Sequence, residues 1–296
     1  MVERPIEIIT DELYIEPISS CNLKCRLCYA NKINGRNAKI MQKEDILAFV
    51  GRYEEFYKHD HFTMAWCGTG EILLYKDFTW LVNHINEQFG SRVEHIITTN
   101  GTIDRLDEFK SLENITFYIS IDGQKAQHDW NRGKGNYEKS VKFCKRAVDL
   151  KCKTLWVRTI VTKDNIDHLG EFEDELRQKI SPKVSVSLLM PMSSKILAQF
   201  SPWSMVARGG VDDSRILTPK ETKDLVVKKY GNRFIIEDSF TELGICLNYD
   251  GVFACCEGEV KLGEVNADMQ TISKNLDRAK GKCKACSAFK FCSEPW

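Results

Sequence analysis

The sequence has no excess of either charge, because 42 basic and 42 acidic residues cancel within its 296 residues. Uncompensated positive charge is the usual electrostatic mark of proteins that bind nucleic acid or membrane surfaces without specificity. Residues 1–5 lack the apolar core of a signal peptide, and no apolar run approaches the roughly 20 residues that span a bilayer. We therefore expect a cytoplasmic protein that binds neither nucleic acid nor membrane.

Cysteine, in contrast, is abundant, with 12 residues in a chain that carries no secretion signal. Cysteines in such proteins stay reduced and serve metal sites more often than a disulfide framework. A hydrophobic content of 43% and a charged content of 28% are typical of a globular protein with material for a large core. The composition therefore predicts a globular, metal-binding protein.

Three of the cysteines, Cys21, Cys25 and Cys28, are separated by three and then by two residues, directly after an apolar run. Thiolates are soft ligands that favour iron–sulfur clusters, zinc or Cu(I). Three thiolates can hold three irons of a [4Fe–4S] cube and leave the fourth iron open, whereas an electron-transfer cluster normally takes four. A zinc knuckle is the alternative, but no further Cys or His lies nearby at zinc spacing. The stretch therefore predicts a cluster that takes part in chemistry.

This spacing, followed by the aromatic residue Tyr29, resembles the signature of the radical S-adenosylmethionine (SAM) superfamily. The resemblance implies that a [4Fe–4S] cluster binds SAM, with Tyr29 among the residues that contact the cofactor. It also implies reductive cleavage of SAM to a 5′-deoxyadenosyl radical, which abstracts hydrogen from a substrate. An external electron donor such as flavodoxin or ferredoxin is then an expected partner.

Six strand-like apolar segments alternate with helix-like segments, which implies parallel βαβ units. Six units fall short of the eight of a full barrel, so we predict an α/β fold with a partial (β/α)6 TIM-like barrel, the fold that the resemblance also implies. The predicted strands lie at 13–18, 62–66, 93–98, 115–122, 155–161 and 184–190. We expect the barrel and a long connection over 191–217 to form one domain, residues 1–217, and residues 218–296 to form a second.

Parallel-barrel enzymes place reacting groups at the carboxyl ends of their strands. The turn after the second predicted strand contains Gly68, Gly70 and Glu71. Its glycines let the backbone approach a ligand closely, and a glutamate can receive an ammonium group. The resemblance places this turn at the methionine amino group of SAM, although the usual Gly-Gly-Glu-Pro reads Thr-Gly-Glu-Ile here.

Further SAM contacts follow the next strands. The resemblance places Asn100 at the site, and Ser120 and Asp122 near the ribose hydroxyls. Arg158 is unusual inside an apolar strand, and its guanidinium fork matches the SAM carboxylate. The alternatives are a turn asparagine, a capped loop serine and an arginine on an exposed strand face.

Several other residues in this part of the chain carry ordinary structural expectations. We read His128, Trp130 and Arg132 as a solvated loop, although the segment resembles the family's loop after the fourth strand. Cys144 fits the apolar face of a helix, where buried packing is expected. We also expect a helix at about 219–230, capped by Thr218.

The C-terminal cysteines resemble the SPASM/twitch extension that follows the barrel in many relatives. A full SPASM domain has seven cysteines and two auxiliary clusters, and the place of its last cysteine falls here on Trp296. We therefore expect one auxiliary [4Fe–4S] cluster, with a zinc ribbon as the alternative. The expected ligands are Cys246, Cys256, Cys283 and Cys286, with Cys255 and Cys292 as alternates.

The predicted reaction is hydrogen abstraction from a peptide or protein. A small-molecule dehydrogenase acting on an alcohol, sugar or aminocyclitol is the alternative within the superfamily. A non-enzymatic iron–sulfur or zinc protein is the alternative outside it. No leader-binding domain precedes the barrel in this sequence, so recognition of a leader would come from a separate leader-peptide-binding protein.

Overall fold

The computed structural model describes residues 7–28, 39–189, 214–237, 242–255 and 260–283. Strands and helices alternate along these residues, as the sequence pattern predicts. In chain order they are β1 (Glu7–Glu16), α1 (Lys43–Tyr57), β2 (Phe62–Trp66), α2 (Phe78–Phe89), β3 (Val93–Thr99), β4 (Ile115–Ser120), α3 (Lys125–Arg132), α4 (Asn136–Asp149), β5 (Thr154–Ile160), α5 (Leu169–Lys179), β6 (Ser185–Leu189), α6 (Pro219–Tyr230), β7 (Ile235–Glu237), β8 (Glu242–Asn248), β9 (Gly251–Cys255), β10 (Lys261–Gly263) and α7 (Met269–Cys283).

The strands form one mostly parallel sheet in the order β10-β9-β8-β1-β2-β3-β4-β5-β6-β7. All neighbours from β8 to β7 are parallel, and only the β8–β9 and β9–β10 pairs are antiparallel. Parallel neighbours need long crossover connections, which the helices between β1 and β6 supply. The α/β class and the mostly parallel sheet are confirmed, and they are consistent with a partial barrel.

All six predicted strands are present, but the first is displaced. The prediction began at residue 13 and ended at residue 18, whereas β1 runs from Glu7 to Glu16. Pro17 follows the strand directly, and proline has no N–H to donate to a ladder. Strands β7 to β10 were not predicted, and β8 pairs in parallel with β1. The strands after residue 217 belong to the same sheet as the strands before it. The predicted division into two domains at 217/218 stays a prediction.

The two faces of the sheet differ in polarity. One face packs under helices, as in the edge contacts of Trp66 with Phe78 at 5.2 Å and of Phe117 with Phe143 at 5.5 Å between ring centroids. Side chains alternate between the two faces along each strand, so every second residue lies on the opposite face, which we call the polar face. Its members at and near the carboxyl ends are Tyr14, Glu16, Thr98, Tyr118, Ser120, Arg158, Ser187 and Cys246.

Two local predictions have opposite outcomes. Helix α6 is confirmed, and Thr218 and Glu221 form a capping box in which the Glu221 N–H donates to Thr218 Oγ1 at 3.2 Å.

The loop predicted around His128 is wrong, because residues Lys125–Arg132 form α3. His128 is fully buried, and its Nδ1 accepts the Asp122 N–H at 3.3 Å. Most of the connection predicted over 191–217 lies outside the described residues.

None of the described helices combines the length and the apolar character needed to cross a membrane.

Candidate metal and cofactor site

The loop that follows β1, which we call the cysteine loop, carries Cys21, Cys25 and Cys28. The Cys28 N–H donates to the Cys25 carbonyl at 3.2 Å, which closes the loop on itself. Burial raises the pKa of Cys21, and it raises the pKa of Cys25 to about 12. Charge on Cys28 adds to both increases. Deprotonation would therefore accompany metal binding, which supplies the compensating positive charge.

The donor set is chemically suited to an iron–sulfur cluster. Within the described parts of the chain, no three Cys, His, Asp or Glu side chains gather closely enough to hold one metal ion. Three thiolates on one loop match the three protein ligands of a [4Fe–4S] cluster with one open iron.

Asn131, in the last turn of α3, holds the middle of the cysteine loop. Its backbone carbonyl accepts the Arg26 N–H and its side-chain Oδ1 accepts the Leu27 N–H, each at 2.9 Å. Both amides belong to residues that lie between Cys25 and Cys28. The conformation of the loop therefore depends on a helix about a hundred residues further along the chain, with a sequence separation of 104 for the Leu27 bond.

The glycine-rich turn after β2 packs against the segment that enters the cysteine loop. The Glu71 N–H donates to the Ser20 carbonyl at 2.8 Å. A Cβ on Gly70 would lie 2.4 Å from the Ile18 carbonyl oxygen and 2.6 Å from that of Ser20. Because both obstacles are backbone atoms, only glycine permits this close approach.

Glu16 supports the same turn and was not identified from the sequence. Its carboxylate accepts the Thr69 N–H at 2.5 Å and also the Thr69 hydroxyl. Gly68 has a φ of +133°, and a Cβ there would lie 2.3 Å from Glu16 Cγ. Burial raises the pKa of Glu16, with the hydrogen bonds from Thr69 acting against that increase. A glutamate inside the first strand gives no sequence signal that distinguishes this role.

Glu71 is buried and joins the ends of β2 and β3. Its carboxylate accepts the Thr99 hydroxyl at 2.5 Å, the Asn100 N–H at 2.8 Å and the Leu73 N–H at 3.1 Å. Burial raises the pKa of Glu71, and these hydrogen bonds act against the increase. Three protein donors already use most of its acceptor capacity. Its predicted contact with the SAM ammonium group stays a prediction.

Asn100 connects this carboxylate with the cysteine loop. Its Nδ2 donates to Asn22 Oδ1 at 3.0 Å and lies 4.0 Å from Cys21 Sγ. Its Oδ1 accepts both the N–H and the hydroxyl of Thr102, at 2.9 and 2.6 Å. The structure thus places Asn100 beside the first cysteine, where it orients the loop.

Ser120 and Arg158 lie side by side on the polar face. They are register partners on β4 and β5, so the structure brings together two of the predicted SAM contacts. The Arg158 guanidinium lies over the Tyr118 ring, 3.8 Å from its centroid, and donates to Thr98 Oγ1 at 3.4 Å. Stacking on an aromatic ring fixes the plane of a guanidinium.

Asp122 lies beyond the end of β4 and pairs mainly with α3. Its Oδ2 accepts Asn131 Nδ2 and Arg132 Nε, each at 2.6 Å, and its Oδ1 accepts the Ile160 N–H at 3.1 Å. Burial would raise the pKa of Asp122, but the charge and hydrogen bond of Arg132 outweigh it, so the pKa lies below its usual value. Protein donors take most of its lone pairs, and its predicted contact with the ribose stays a prediction.

A cavity of about 190 Å³ lies beside the cysteine loop, between α3 and the end of β5. Leu27, Asp122, Gln127, Trp130, Ile160 and Asn165 are among its lining residues. Gln127 Oε1 is buried there without a hydrogen-bond partner among the described residues. On another side, the Arg215 guanidinium lies 4.1 Å from the Trp130 ring centroid.

The predicted auxiliary site lies largely outside the described residues. Tyr29, Cys256, Cys286 and Cys292 fall outside them, and the side chains of Cys255 and Cys283 are likewise not described. The backbones of the last two end β9 and α7. Cys246 lies on the polar face as the register partner of Tyr14. Its role as a ligand stays a prediction.

Two other cysteines have clear environments. Cys144 is fully buried on α4, as predicted. Cys67 follows β2, where burial raises the pKa of its thiol to about 12, with the charge of Glu16 adding to the increase and that of Arg158 opposing it.

Comparisons with known proteins identify the family of this chain. The profile of the Radical SAM superfamily matches residues 15–176. The mycofactocin maturase MftC of Mycolicibacterium smegmatis is 26% identical over 162 residues, which are 52% of this chain and 38% of MftC. This chain thus spans well under half the length of that relative.

Two solved structures share the fold. Native anSMEcpe with bound AdoMet superposes with a TM-score of 0.66 and 18% identity, over 95% of this chain and 88% of its own. SuiB of Streptococcus suis, bound to the precursor peptide SuiA, superposes with a TM-score of 0.65 and 16% identity, over 99% of this chain and 72% of its own. The matched profile covers more than half of the chain and contains the cysteine loop, the glycine-rich turn, Ser120 and Arg158. The chain belongs to the radical SAM superfamily.

Proposed function

We propose that this chain is a radical SAM enzyme that modifies a peptide or protein substrate. The observation that carries the proposal is that the loop with Cys21, Cys25 and Cys28 is hydrogen-bonded to the turns at the carboxyl ends of β2 and β3. Cys21, Cys25 and Cys28 would hold a [4Fe–4S] cluster, which would supply one electron from an external donor such as flavodoxin or ferredoxin for cleavage of SAM to methionine and a 5′-deoxyadenosyl radical. The residues of the chain supply binding, orientation and shielding.

We place the methionine end of SAM between the polar face and the glycine-rich turn. Arg158 would receive the carboxylate, because a guanidinium already oriented by the Tyr118 ring makes a charge-assisted bond at small entropic cost. Ser120, its register partner, adds a hydroxyl at the same level. Gly68, Gly70 and Glu71 would face the amino group, with the remaining capacity of the Glu71 carboxylate directed to it.

We place the adenosyl end in the cavity next to Leu27. This residue directly precedes Cys28, so a group in the cavity lies beside the cysteine loop. Gln127 Oε1 is a buried acceptor that has no partner among the described residues, and an exocyclic amino group would satisfy it. Asp122 lines this cavity and Asn100 lies next to Cys21, so both are proposed SAM contacts, and Tyr29 is the proposed aromatic contact from the loop.

Support for a peptide substrate comes from the relatives. MftC is a maturase by name, SuiB binds the precursor peptide SuiA, and anSMEcpe binds a Kp18Cys peptide together with AdoMet. We further propose one auxiliary [4Fe–4S] cluster on Cys246, Cys256, Cys283 and Cys286, within a C-terminal unit over residues 218–296. A separate protein would present the leader of the substrate.

The test is isotope transfer under anaerobic, reducing conditions. The enzyme is supplied with SAM and with deuterated peptides from genes next to its own, or with deuterated alcohols, sugars and aminocyclitols. The proposal predicts deuterium in 5′-deoxyadenosine and a mass change only with a peptide. Transfer from a small molecule alone would move the assignment to a dehydrogenase, and iron-loaded protein that forms no 5′-deoxyadenosine at all would overturn the enzyme assignment.

A further inference from the structure

Arg132, the last residue of α3, carries a buried positive charge next to the cysteine loop. Its side chain is 12% exposed, and its Nε and Nη2 contact the Asp122 carboxylate at 2.6 and 3.3 Å. Its neighbour Asn131 binds the amides of Arg26 and Leu27. The guanidinium is therefore held at the same helix end that holds the loop.

Hydrogen bonds link the guanidinium of Arg132 to the cysteine loop. Arg132 Nε and Asn131 Nδ2 both donate to Asp122 Oδ2 at 2.6 Å. Asn131 Oδ1 in turn accepts the N–H of Leu27, the residue before Cys28, at 2.9 Å. The two members of the ion pair therefore lie next to the loop and act on a charge there with opposite signs.

Other charged groups around the guanidinium are accounted for. Glu71, in the turn after β2, is close enough for Arg132 to oppose the burial-driven increase in its pKa. His128, on the same helix, has its pKa lowered to about 4 by burial and is neutral at physiological pH. Asp129 is directed away, because its carboxylate accepts the N–H groups of Gly135 and Tyr137. Among the described residues, Arg132 is thus the buried cation next to the cysteine loop.

A fixed cation has a definite effect on a cluster held by three thiolates. In the oxidised [4Fe–4S]²⁺ state the cluster and its thiolates carry a net charge of −1, and one electron from the external donor takes this to −2. No bond forms or breaks in that step, and the electron stays on the cluster. Coulomb attraction grows with the charge and is strong where solvent screens it little, so a nearby cation stabilises the reduced state more than the oxidised one.

We infer that Arg132 is a charge-tuning residue that raises the reduction potential of the N-terminal cluster, and that Asp122 limits the increase. The inference rests on the proposed assignment of a [4Fe–4S] cluster to Cys21, Cys25 and Cys28. The reduction potential of the cluster would thus depend on α3, a helix that contributes no ligand to it.

The test is the midpoint potential of the cluster in the full chain, measured by EPR-monitored redox titration without SAM or substrate. Arg132→Gln should lower the potential, Arg132→Lys should keep it near the parent value, and Asp122→Asn should raise it. Arg146→Gln is the matched control, because Arg146 on α4 pairs with Asp104 and, at 2.7 Å, with Asp107. Its potential should be unchanged.

Opposite shifts for the two members of one ion pair follow from charge and not from packing. A purely structural role would move both variants in one direction or neither, and that result would overturn the inference. If Arg132→Gln loses its iron because Asp122 is left buried and unpaired, the Arg132→Gln/Asp122→Asn double variant replaces it. Its potential should lie below that of Asp122→Asn, because these two variants differ only in the charge at position 132. An unchanged potential in cluster-loaded protein refutes this inference alone, whereas parent protein without a [4Fe–4S] signal refutes the assignment of the cluster.

Discussion

Ser120 on β4 and Arg158 on β5 are direct register partners, so a hydroxyl and a guanidinium leave the polar face side by side. Neighbouring strands in a parallel sheet keep such a pair in place through the backbone ladder. The Tyr118 ring supports the guanidinium from the adjacent position on the same face. This arrangement suits the recognition of a small anionic group such as a carboxylate.

Arg158→Gln should therefore weaken SAM binding while the iron content stays at the parent value. Loss of a hydrogen bond to a charged group costs roughly 1–3 kcal/mol. Titration of SAM into anaerobic protein measures the change. Arg146→Gln is the control, because Arg146, which lies on α4, pairs with Asp104 and, at 2.7 Å, with Asp107. Parent affinity in the Arg158 variant would remove this residue from the site.

Gly70→Ala should displace the glycine-rich turn from the segment that enters the cysteine loop. A Cβ would lie within 2.6 Å of two backbone carbonyl oxygens, and overpacking of this kind costs roughly 1–3 kcal/mol of the free energy of unfolding. Gly51→Ala in α1 is the matched control, since no atom lies within 4 Å of its Cβ position. That change should be neutral or stabilise by about 0.5–1 kcal/mol. Chemical denaturation measures both, and equal stabilities would contradict the close approach.

His95 should give the fold a measurable pH dependence. Trp66 Nε1 donates to its Nδ1 at 3.0 Å, and burial lowers its pKa to about 3. The unfolded chain takes up this proton near pH 6.5, so the stabilising contribution is complete above that pH and is lost as the pH falls towards 3. The loss is at most about 1.4 kcal/mol per pH unit.

Urea denaturation at pH 7.5 and 5.5 compares the parent with His95→Gln. Glutamine can still accept from Trp66 and donate to Asn86 Oδ1, which lies 3.0 Å from His95 Nε2. Between these two pH values the parent should lose about 1.4 kcal/mol more of its free energy of unfolding than the variant. Identical losses would show that His95 does not titrate on unfolding.

The features of this protein that the sequence predicts are those that depend on local pattern. The alternation of apolar residues identifies strands such as Ile115–Ser120, and the Thr218 cap with Pro219 identifies α6. The spacing of the three N-terminal cysteines predicts a metal site within eight consecutive positions of the chain. Each of these signals lies within a few neighbouring residues.

The features that the sequence does not predict depend on distant contacts. Helix α3 resembles a loop in sequence because the burial of His128 comes from the Asp122 backbone and the Tyr137 ring, not from an apolar pattern. The Glu16–Thr69 and Leu27–Asn131 hydrogen bonds join residues 53 and 104 positions apart. No periodicity within one segment encodes such pairings.

The proposed auxiliary cluster makes a prediction about iron content. Cys283→Ala together with Cys286→Ala should lower the iron from about eight to about four per chain, because each cube carries four irons. The variant should still cleave SAM but form no modified product. Cys144→Ala together with Cys152→Ala is the matched control and should keep all of its iron, since both thiols lie at α4 and the turn after it. Zinc at the C-terminal site, or about twelve irons in the parent, would contradict a single auxiliary cluster.

The most direct test of the central claim is SAM cleavage by a variant in which Cys21, Cys25 and Cys28 are all replaced with Ala. Under anaerobic conditions with a strong reductant, the parent should convert SAM to 5′-deoxyadenosine. The triple variant should lose about four irons and all 5′-deoxyadenosine, because these thiolates are the proposed protein ligands of the cluster. Chromatography of the nucleoside products beside iron analysis gives the answer. Undiminished 5′-deoxyadenosine from the triple variant would contradict the assignment of the catalytic cluster to this loop.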